Sequence, residues 1–444
     1  MSAPGPARIL VLGGGGREHA LAWKLAHEPG IAEVTVAPGS AGIATEAGVR
    51  CAPVDPLDPA AVIALARAAA ADLVVVGPEA PLAGGIADAL GAAGITVFGP
   101  GAEAARLETS KTFCHTVAAA AGVRMARSRS FAGGEGDAAA AFIRELEATG
   151  ARAVLKADGL AAGKGVVVTE STAQALDLVP SFLEGRPTGI PALVIEERLA
   201  GREATVIAIC DGTRAVALPA ARDHKRLSDG DAGPNTGGMG AYSPLPDLDD
   251  AAVEGILDTV HRPLLEAMTR RGLRFRGFLY AGLILTADGP VLLEVNVRLG
   301  DPEAQVILPR IAVSIAPILA AAALGRLPED LPAHLPTLRQ SAVGIVLAGA
   351  GYPGDPVRGA SITGLDAAAG AGALVFHAGT ARDADRGFTT NGGRVLTVVG
   401  RGADLSAARD VAERAADAVS WPGMQRRHDI ASSLPTGAAV GTQP

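Results

Sequence analysis

At 444 residues the chain is too long for one hydrophobic core of ordinary size, so a few domains packed into one unit are expected. Hydrophobic residues make up 48% and aromatics only 3%, a supply of Ala, Val, Leu and Ile that suits helices packed on sheets and points to an α/β class. A formal net charge of -8 without a basic run excludes a nucleic-acid surface, and the three scattered cysteines, Cys51, Cys114 and Cys210, exclude a disulfide framework or a paired-thiol zinc site.

The opening MSAPGPA has no charged start leading into an apolar stretch, so it is no signal peptide and a cytoplasmic location is expected. Residues 8 to 105 then alternate strand and helix signals: RILVLG, REHALAWKLAHE, EVTVAPG, DPAAVIALARAAA, DLVVVGPE, IADALGAAG and ITVFGP. That series predicts a parallel sheet with crossover helices, and so a Rossmann-like N-terminal domain over 1–105 whose loops gather at the carboxyl edge. Its first turn, GGGGREHA, offers backbone N–H groups at a helix start, a favourable place for an anion. Alone, this run would also fit a dinucleotide-binding fold.

From Glu108 the texture changes, and the charged residues of special spacing collect in a region spanning 106–330. The segment LKADGLAAGKGV places Lys156 at a strand end, with Gly159, Gly163 and Gly165 allowing a tight loop over an anion. Lys164 is followed by GVVV, a strand, whereas a Walker A loop opens a helix, so a hairpin covering phosphates is the expectation. Further on, IEERL and GREAT carry Glu196, Glu197 and Glu203, which can line an adenosine pocket or simply mark a solvated strand end. In LLEVNVRLGDPEAQ the period of two puts Glu294 and Asn296 on one strand face, where their oxygens can meet one cation such as magnesium. Arg298 points the same way and can fork onto a carboxylate or phosphate, and the turn after it adds Asp301 and Glu303. The apolar run from 311 to 325 holds Ser314 and Pro317 and is short for a bilayer span, so it is expected to be a core helix in a protein with no membrane contact. Residues 331–435 predict a small α+β domain, and 436–444 a frayed tail.

Taken together these motifs resemble the ATP-grasp superfamily, and within it the phosphoribosylamine-glycine ligase, or glycinamide ribonucleotide synthetase, family. The strings that carry the likeness run in order along nearly the whole chain: GGREHALAWK, VGPEAPL, LKADGLAAGKGV, DHKR, GPNTGGMGAYSP, GFLYAGL, RLGDPE, GYPG, FHAGT and TNGGRVL. The resemblance implies an ATP-grasp central region with a mobile lid subdomain over about 125–195, and the hairpin at 157–165 is expected to order over the phosphates when ATP binds. It implies a ligase of purine biosynthesis that turns ATP, glycine and 5-phosphoribosylamine into ADP, phosphate and glycinamide ribonucleotide through glycyl phosphate. ATP and magnesium or manganese are the implied cofactors, and the implied state is a monomer.

Carried over residue by residue, the resemblance implies ATP contacts from Lys111, Lys156, Gly159, Gly163, Lys164, Gly165, Glu196, Glu197, Leu199 and Glu203, with Glu294 and Asn296 on the metal. Substrate contacts fall to Gly15, Gly16, Arg17 and Glu18 in the first turn, to Pro38, Gly39 and Ser40, and to Pro78 and Glu79. Asp223, His224 and Lys225, then Asn235, Thr236, Gly237, Gly238 and Met239, and finally Arg298, Gly300 and Asp301 complete that set. Lys156, Arg298 and Asp223 are the implied catalytic residues. Two positions depart from the family pattern: Gly14 and Ser40 stand where Asn is common, which reroutes a substrate hydrogen bond. A different ATP-grasp ligase is disfavoured by DHKR, GPNTGGMG and GYPG, and a nicotinamide-dependent oxidoreductase leaves Glu294, Asn296 and the Gly-rich hairpin without a task.

Overall fold

The computed structural model describes residues 5–160, 165–186 and 189–432. In the N-terminal region the strands RILVLG, EVTVAP and LVVV are buried along nearly their whole length, as suits a sheet covered on both faces. Arg8–Gly13 lies at the centre, flanked in parallel by Glu33–Pro38 and Leu73–Val76, with Val49–Cys51 and Val97–Phe98 at the two edges. The chain reverses its direction of winding at the central strand, and the turn at its carboxyl end leads straight into the helix Gly16–Ala26. Glu18 closes that helix start: its carboxylate accepts from the Gly15 N–H at 2.7 Å. A Cβ at Gly14 would lie 2.5 Å from the Gly39 carbonyl oxygen, so the departure from Asn at this turn matches the close approach of the two loops.

The middle region supplies two four-stranded antiparallel sheets. One runs in the order Ser128–Ala132, Ala192–Glu197, Ala153–Ala157, Val166–Val168, and the last two are the expected hairpin, with Lys156 paired to Val166. Helices Gly136–Ala148 and Thr172–Leu183 cover it and give it a separate core of Phe131, Phe142, Ile143, Leu146, Leu155 and Phe182. The other sheet joins Ala215–Ala217, Arg202–Asp211, Arg276–Thr286 and Gly289–Asn296. A bulge where Gly282 and Leu283 face Glu294 and Leu292 shifts its register just before the predicted metal ligands. The apolar run expected to be a core helix is Ala316–Ala323, with Leu319 fully buried, and no helix among the described residues is long and apolar enough to cross a membrane.

The third antiparallel sheet crosses the boundary expected near residue 330. Ser341–Ala348, Arg394–Gly402 and Leu374–His377 come from the C-terminal region, but Gly240–Ser243 pairs with Ser341–Ala348 and carries Arg222–Asp223 at its outer edge. The DHKR and GMGAYSP segments are thereby fixed by the C-terminal region. Helix Leu405–Ala418, capped by Asp404 through the Ala407 N–H at 2.8 Å, packs on the same sheet. The tail expected over 436–444 lies outside the described residues.

Candidate active site

A cleft of about 1250 Å³ opens where the N-terminal sheet, both middle sheets and the C-terminal sheet meet. Lys156, on the buried strand Ala153–Ala157, enters it with almost no exposed surface. Its ammonium lies 2.7 Å from Glu196 and donates to the Leu293 carbonyl at 3.3 Å. The other Glu196 oxygen meets His115 Nε2 at 2.9 Å. Burial alone would raise the Glu196 carboxyl, but Lys156 and His115 outweigh it and hold the group below the usual carboxylate range. Helix Lys111–Ala121 begins where the Ser110 hydroxyl accepts from the Phe113 N–H at 3.1 Å, and that start presents Lys111 to the same space. Lys111 Nζ donates to the Gly159 carbonyl at 3.1 Å, and its pKa is lowered first by burial and then by Lys156.

Across the cleft, Lys225 bridges two carboxylates, 3.2 Å from Glu203 and 3.2 Å from Glu294. Lys225 is the main reason that Glu294 titrates at about 2, with Lys156 and Lys111 adding to it, so this carboxylate is ionised at any working pH. Asn296, two residues on, points into the same space. A fixed anionic oxygen beside an amide oxygen fits a hard divalent cation that keeps most of its waters. Asp223 lies close by, its carboxyl pushed well up by burial and by Glu303, Glu203 and Glu294, against the opposing pull of Lys225.

The N-terminal wall is a web of charges. Arg298 forks between Glu108 at 2.9 Å and Glu79 at 3.4 Å, while Arg17 stands 3.9 Å from Glu79. The Glu108 side chain is only 7% exposed and its pKa is raised by burial despite Arg298, whereas Glu79 stays low because Arg298 and Arg17 overcome its burial. On the opposite side the C-terminal region reaches in: Arg394 donates to the Gly237 carbonyl at 2.6 Å and pairs with Asp301 at 3.2 Å. Tyr352 accepts from the Gly237 N–H at 2.8 Å.

Most residues singled out from the sequence converge on this one cleft. Lys111, Lys156, Gly159, Gly165, Glu196, Glu197, Leu199 and Glu203 line one part of it, and Asp223, His224, Lys225, Asn235, Thr236 and Gly237 another. Glu294, Asn296, Arg298, Gly300, Asp301, Arg17 and Glu79 line the rest. The structure departs from expectation elsewhere. Both Glu18 oxygens accept hydrogen bonds, from the Gly15 N–H and from Arg17 Nε at 2.7 Å, so its carboxylate holds the turn together, and it does not line the cleft. Met239 is fully buried, its backbone tied to His224 and Val346, and packs as core. Gly39 and Ser40 line a separate recess of about 500 Å³ with Gly14 and residues 378–382. Gly15, Gly16, Pro38, Pro78 and Gly238 line neither space, and Gly163 and Lys164 lie outside the described residues.

Among the wall residues that escaped the sequence reading are Glu108, His115, Tyr280, Tyr352 and Arg394. The last two sit in GYPG and TNGGRVL, strings whose similarity was visible while their task was not. Tyr280 is buried in a sheet strand, where its hydroxyl donates to Glu303 at 2.8 Å, and nothing in a run of apolar residues announces that.

Comparison with known proteins agrees with this geometry. The family described as phosphoribosylglycinamide synthetase matches by its N domain over residues 7–108, its ATP-grasp (A) domain over 109–304 and its C domain over 342–433. A phosphoribosylamine–glycine ligase of Streptomyces coelicolor is 48% identical over 429 residues, which cover 96% of this chain and 99% of that protein. One from Caulobacter vibrioides is 46% identical over 424 residues, covering 95% and 97%. Among solved structures, the phosphoribosylamine–glycine ligase of Thermotoga maritima superposes with a TM-score of 0.79 at 32% identity, covering 95% of this chain and all of the other.

Proposed function

Because the chain belongs to the phosphoribosylglycinamide synthetase family, we propose that the large cleft is where ATP, glycine and 5-phosphoribosylamine meet. The protein is an ATP-dependent ligase of purine biosynthesis that joins glycine to phosphoribosylamine through glycyl phosphate. The observation that carries the site assignment is the convergence of Lys156, from the hairpin, and Lys111, from a helix start, on the space lined by Glu294 and Asn296. That arrangement suits a triphosphate clamped between ammonium groups and a cation-binding edge.

In the first step a glycine carboxylate oxygen attacks the γ-phosphorus and ADP departs. Lys156 and Lys111 stabilise the negative charge on the transferred phosphoryl group. Glu294 and Asn296 would hold magnesium, or manganese in its place, and such an ion would supply further charge neutralisation for the phosphates. In the second step the amine of phosphoribosylamine attacks the acyl carbon of glycyl phosphate, the C–O bond to phosphate breaks, and phosphate leaves with the electron pair. Arg298, fixed by Glu79 and Glu108, orients the carboxylate, and Asp223 beside Lys225 faces the amine. Glu197, Leu199 and Glu203 line the adenosine end, while Arg17, Glu79, His224, Asn235, Thr236, Gly237 and Asp301 surround the acceptor. A monomer stays the proposed working unit, and the substrates support a cytoplasmic setting.

The deciding assay is ADP release by the purified protein with glycine or phosphoribosylamine omitted in turn. Release is expected only when glycine is present, with full turnover needing both substrates. Glycine-independent release driven by another carboxylic acid would assign the cleft to a different acid.

A further inference from the structure

The ammonium group of Lys156 does not stand alone. Its neighbour Glu196 is 2% exposed and divides its two oxygens between partners from different elements: Oε2 holds Lys156 at 2.7 Å and Oε1 takes the Nε2 of His115 at 2.9 Å. His115 sits in helix Lys111–Ala121, so the helix whose first residue presents one lysine to the cleft also reaches, through Glu196, to the other. On its far side, His115 Nδ1 lies 3.0 Å from the hydroxyl of Ser128, in the strand paired with that of Glu196.

We infer that His115 is a positioning residue for phosphoryl transfer, aiming Lys156 by fixing the Glu196 carboxylate between two donors. The inference rests on the reading of Lys156 as a phosphate contact given above. An ammonium has three protons. Here one goes to Glu196 and one to the Leu293 carbonyl at 3.3 Å, which leaves the third for a ligand in the cleft. Without His115, Oε1 of Glu196 loses its donor in a buried place, a costly state that is relieved by turning both oxygens onto Lys156. The ammonium is then drawn back from the phosphate. The serine hydroxyl makes the arrangement tolerant of the state of the imidazole. With the neutral ring protonated on Nε2, Ser128 donates to Nδ1, and with the imidazolium Ser128 accepts; Nε2–H faces Glu196 in both.

The test compares purified His115→Phe, which keeps a ring but no donor, with His115→Gln, whose amide restores an N–H near the Nε2 position. Lys156→Met is the reference, and glycine- and phosphoribosylamine-dependent ADP release is the readout. His115→Phe is expected to lower kcat roughly 10- to 100-fold, the scale set by a small misplacement of a catalytic group. Its KM for glycine and its melting midpoint should stay near wild type, and His115→Gln should recover most of the turnover. Should the phenyl ring impair folding, His115→Ala makes the same comparison against the glutamine variant. A phenylalanine or alanine variant with wild-type kcat, while Lys156→Met is crippled, overturns the inference and leaves the cleft reading standing. Equal losses in the phenylalanine and glutamine variants that track a lowered melting midpoint overturn it as well, since they mark a purely structural tie. A Lys156→Met enzyme with unimpaired turnover overturns the reading of the cleft and this inference together.

Discussion

At Glu294 one carboxylate answers to three ammonium groups: Lys225 touches it, and Lys156 and Lys111 act on it through space. In the absence of nucleotide this pairing keeps the anion in place; with nucleotide, the same charge is the natural partner of a divalent cation. Glu294→Gln keeps shape and one acceptor but removes the charge, so turnover is expected to fall by roughly 100-fold. The side chain is 38% exposed, so its ion pair contributes little to folding, and the melting midpoint should hardly move. Normal glycine-dependent ADP release from the variant would remove Glu294 from the metal site. A different residue bears on acid tolerance. His261 has no exposed surface, its Nε2 lies 3.3 Å from the Val206 carbonyl, and burial lowers its pKa from 6.5 to about 4. As pH falls, the unfolded chain takes up that proton first. The contribution of His261 is therefore fully present above pH 6.5 and is lost between 6.5 and about 4, amounting at most to about 3 kcal/mol. Urea titrations across this range should show a shallower loss for His261→Leu than for the wild type, even if the variant starts lower; parallel slopes would refute the assignment.

Elements differ in how much their sequences disclose. The N-terminal strands and the hairpin around Lys156 were legible because each is an apolar run bounded by Gly or Pro, and Glu294 with Asn296 because a strand repeats every two residues. Arg222–Asp223 and Gly240–Ser243 are too short to show any period, and their sheet partner, Ser341–Ala348, lies far along the chain. Glu18 carries a task the sequence did not disclose: a carboxylate three residues into a Gly-rich turn looks like a ligand contact and works equally well as a helix cap. His115 had no pattern at all, since one histidine on a helix gives no sign of the carboxylate it will meet from another strand. The sheet that carries Lys156 has its own small core, and Phe142, 1% exposed and overlain by Arg129 at 4.8 Å, sits within it. Phe142→Ala is expected to cost about 3–5 kcal/mol. Because that core is separate from the two larger ones, faster hydrogen exchange should appear in the strands Ser128–Ala132, Ala153–Ala157 and Ala192–Glu197 while the N-terminal parallel sheet keeps its protection. Loosening spread evenly through the molecule would show that this sheet does not behave as a unit.

On the scale of the whole molecule, the cleft is closed by a contact that no single region could make. Arg394, from the C-terminal sheet, reaches the carbonyls of Gly237 and Asp301 and the carboxylate of Asp301, and Tyr352 holds Gly237 from the other side. The loop that follows DHKR is thus clasped by residues more than a hundred positions downstream, the same long reach that builds the C-terminal sheet from strands of the middle region. Burial would raise the Asp301 carboxyl, but Arg394, Arg17 and a hydrogen bond from Gln305 at 2.7 Å keep it low. Removing Arg394 leaves that anion short of its nearest cation. Since the pair keeps some exposure, 22% and 17% by side chain, Arg394→Ala should cost about 2–3 kcal/mol, less than for a fully enclosed pair. The loop it frees bears Asn235, Thr236 and Gly237 on the acceptor side, whereas the lysines and the adenosine wall belong to other elements. The KM for phosphoribosylamine should therefore rise well above any change in the KM for ATP. Tyr352→Phe, which removes one acceptor, should move the same constant in the same direction by less. If instead Arg394→Ala raised both constants equally, the clasp would be acting on the closure of the whole cleft, and the division of its walls between nucleotide and acceptor would have to be redrawn.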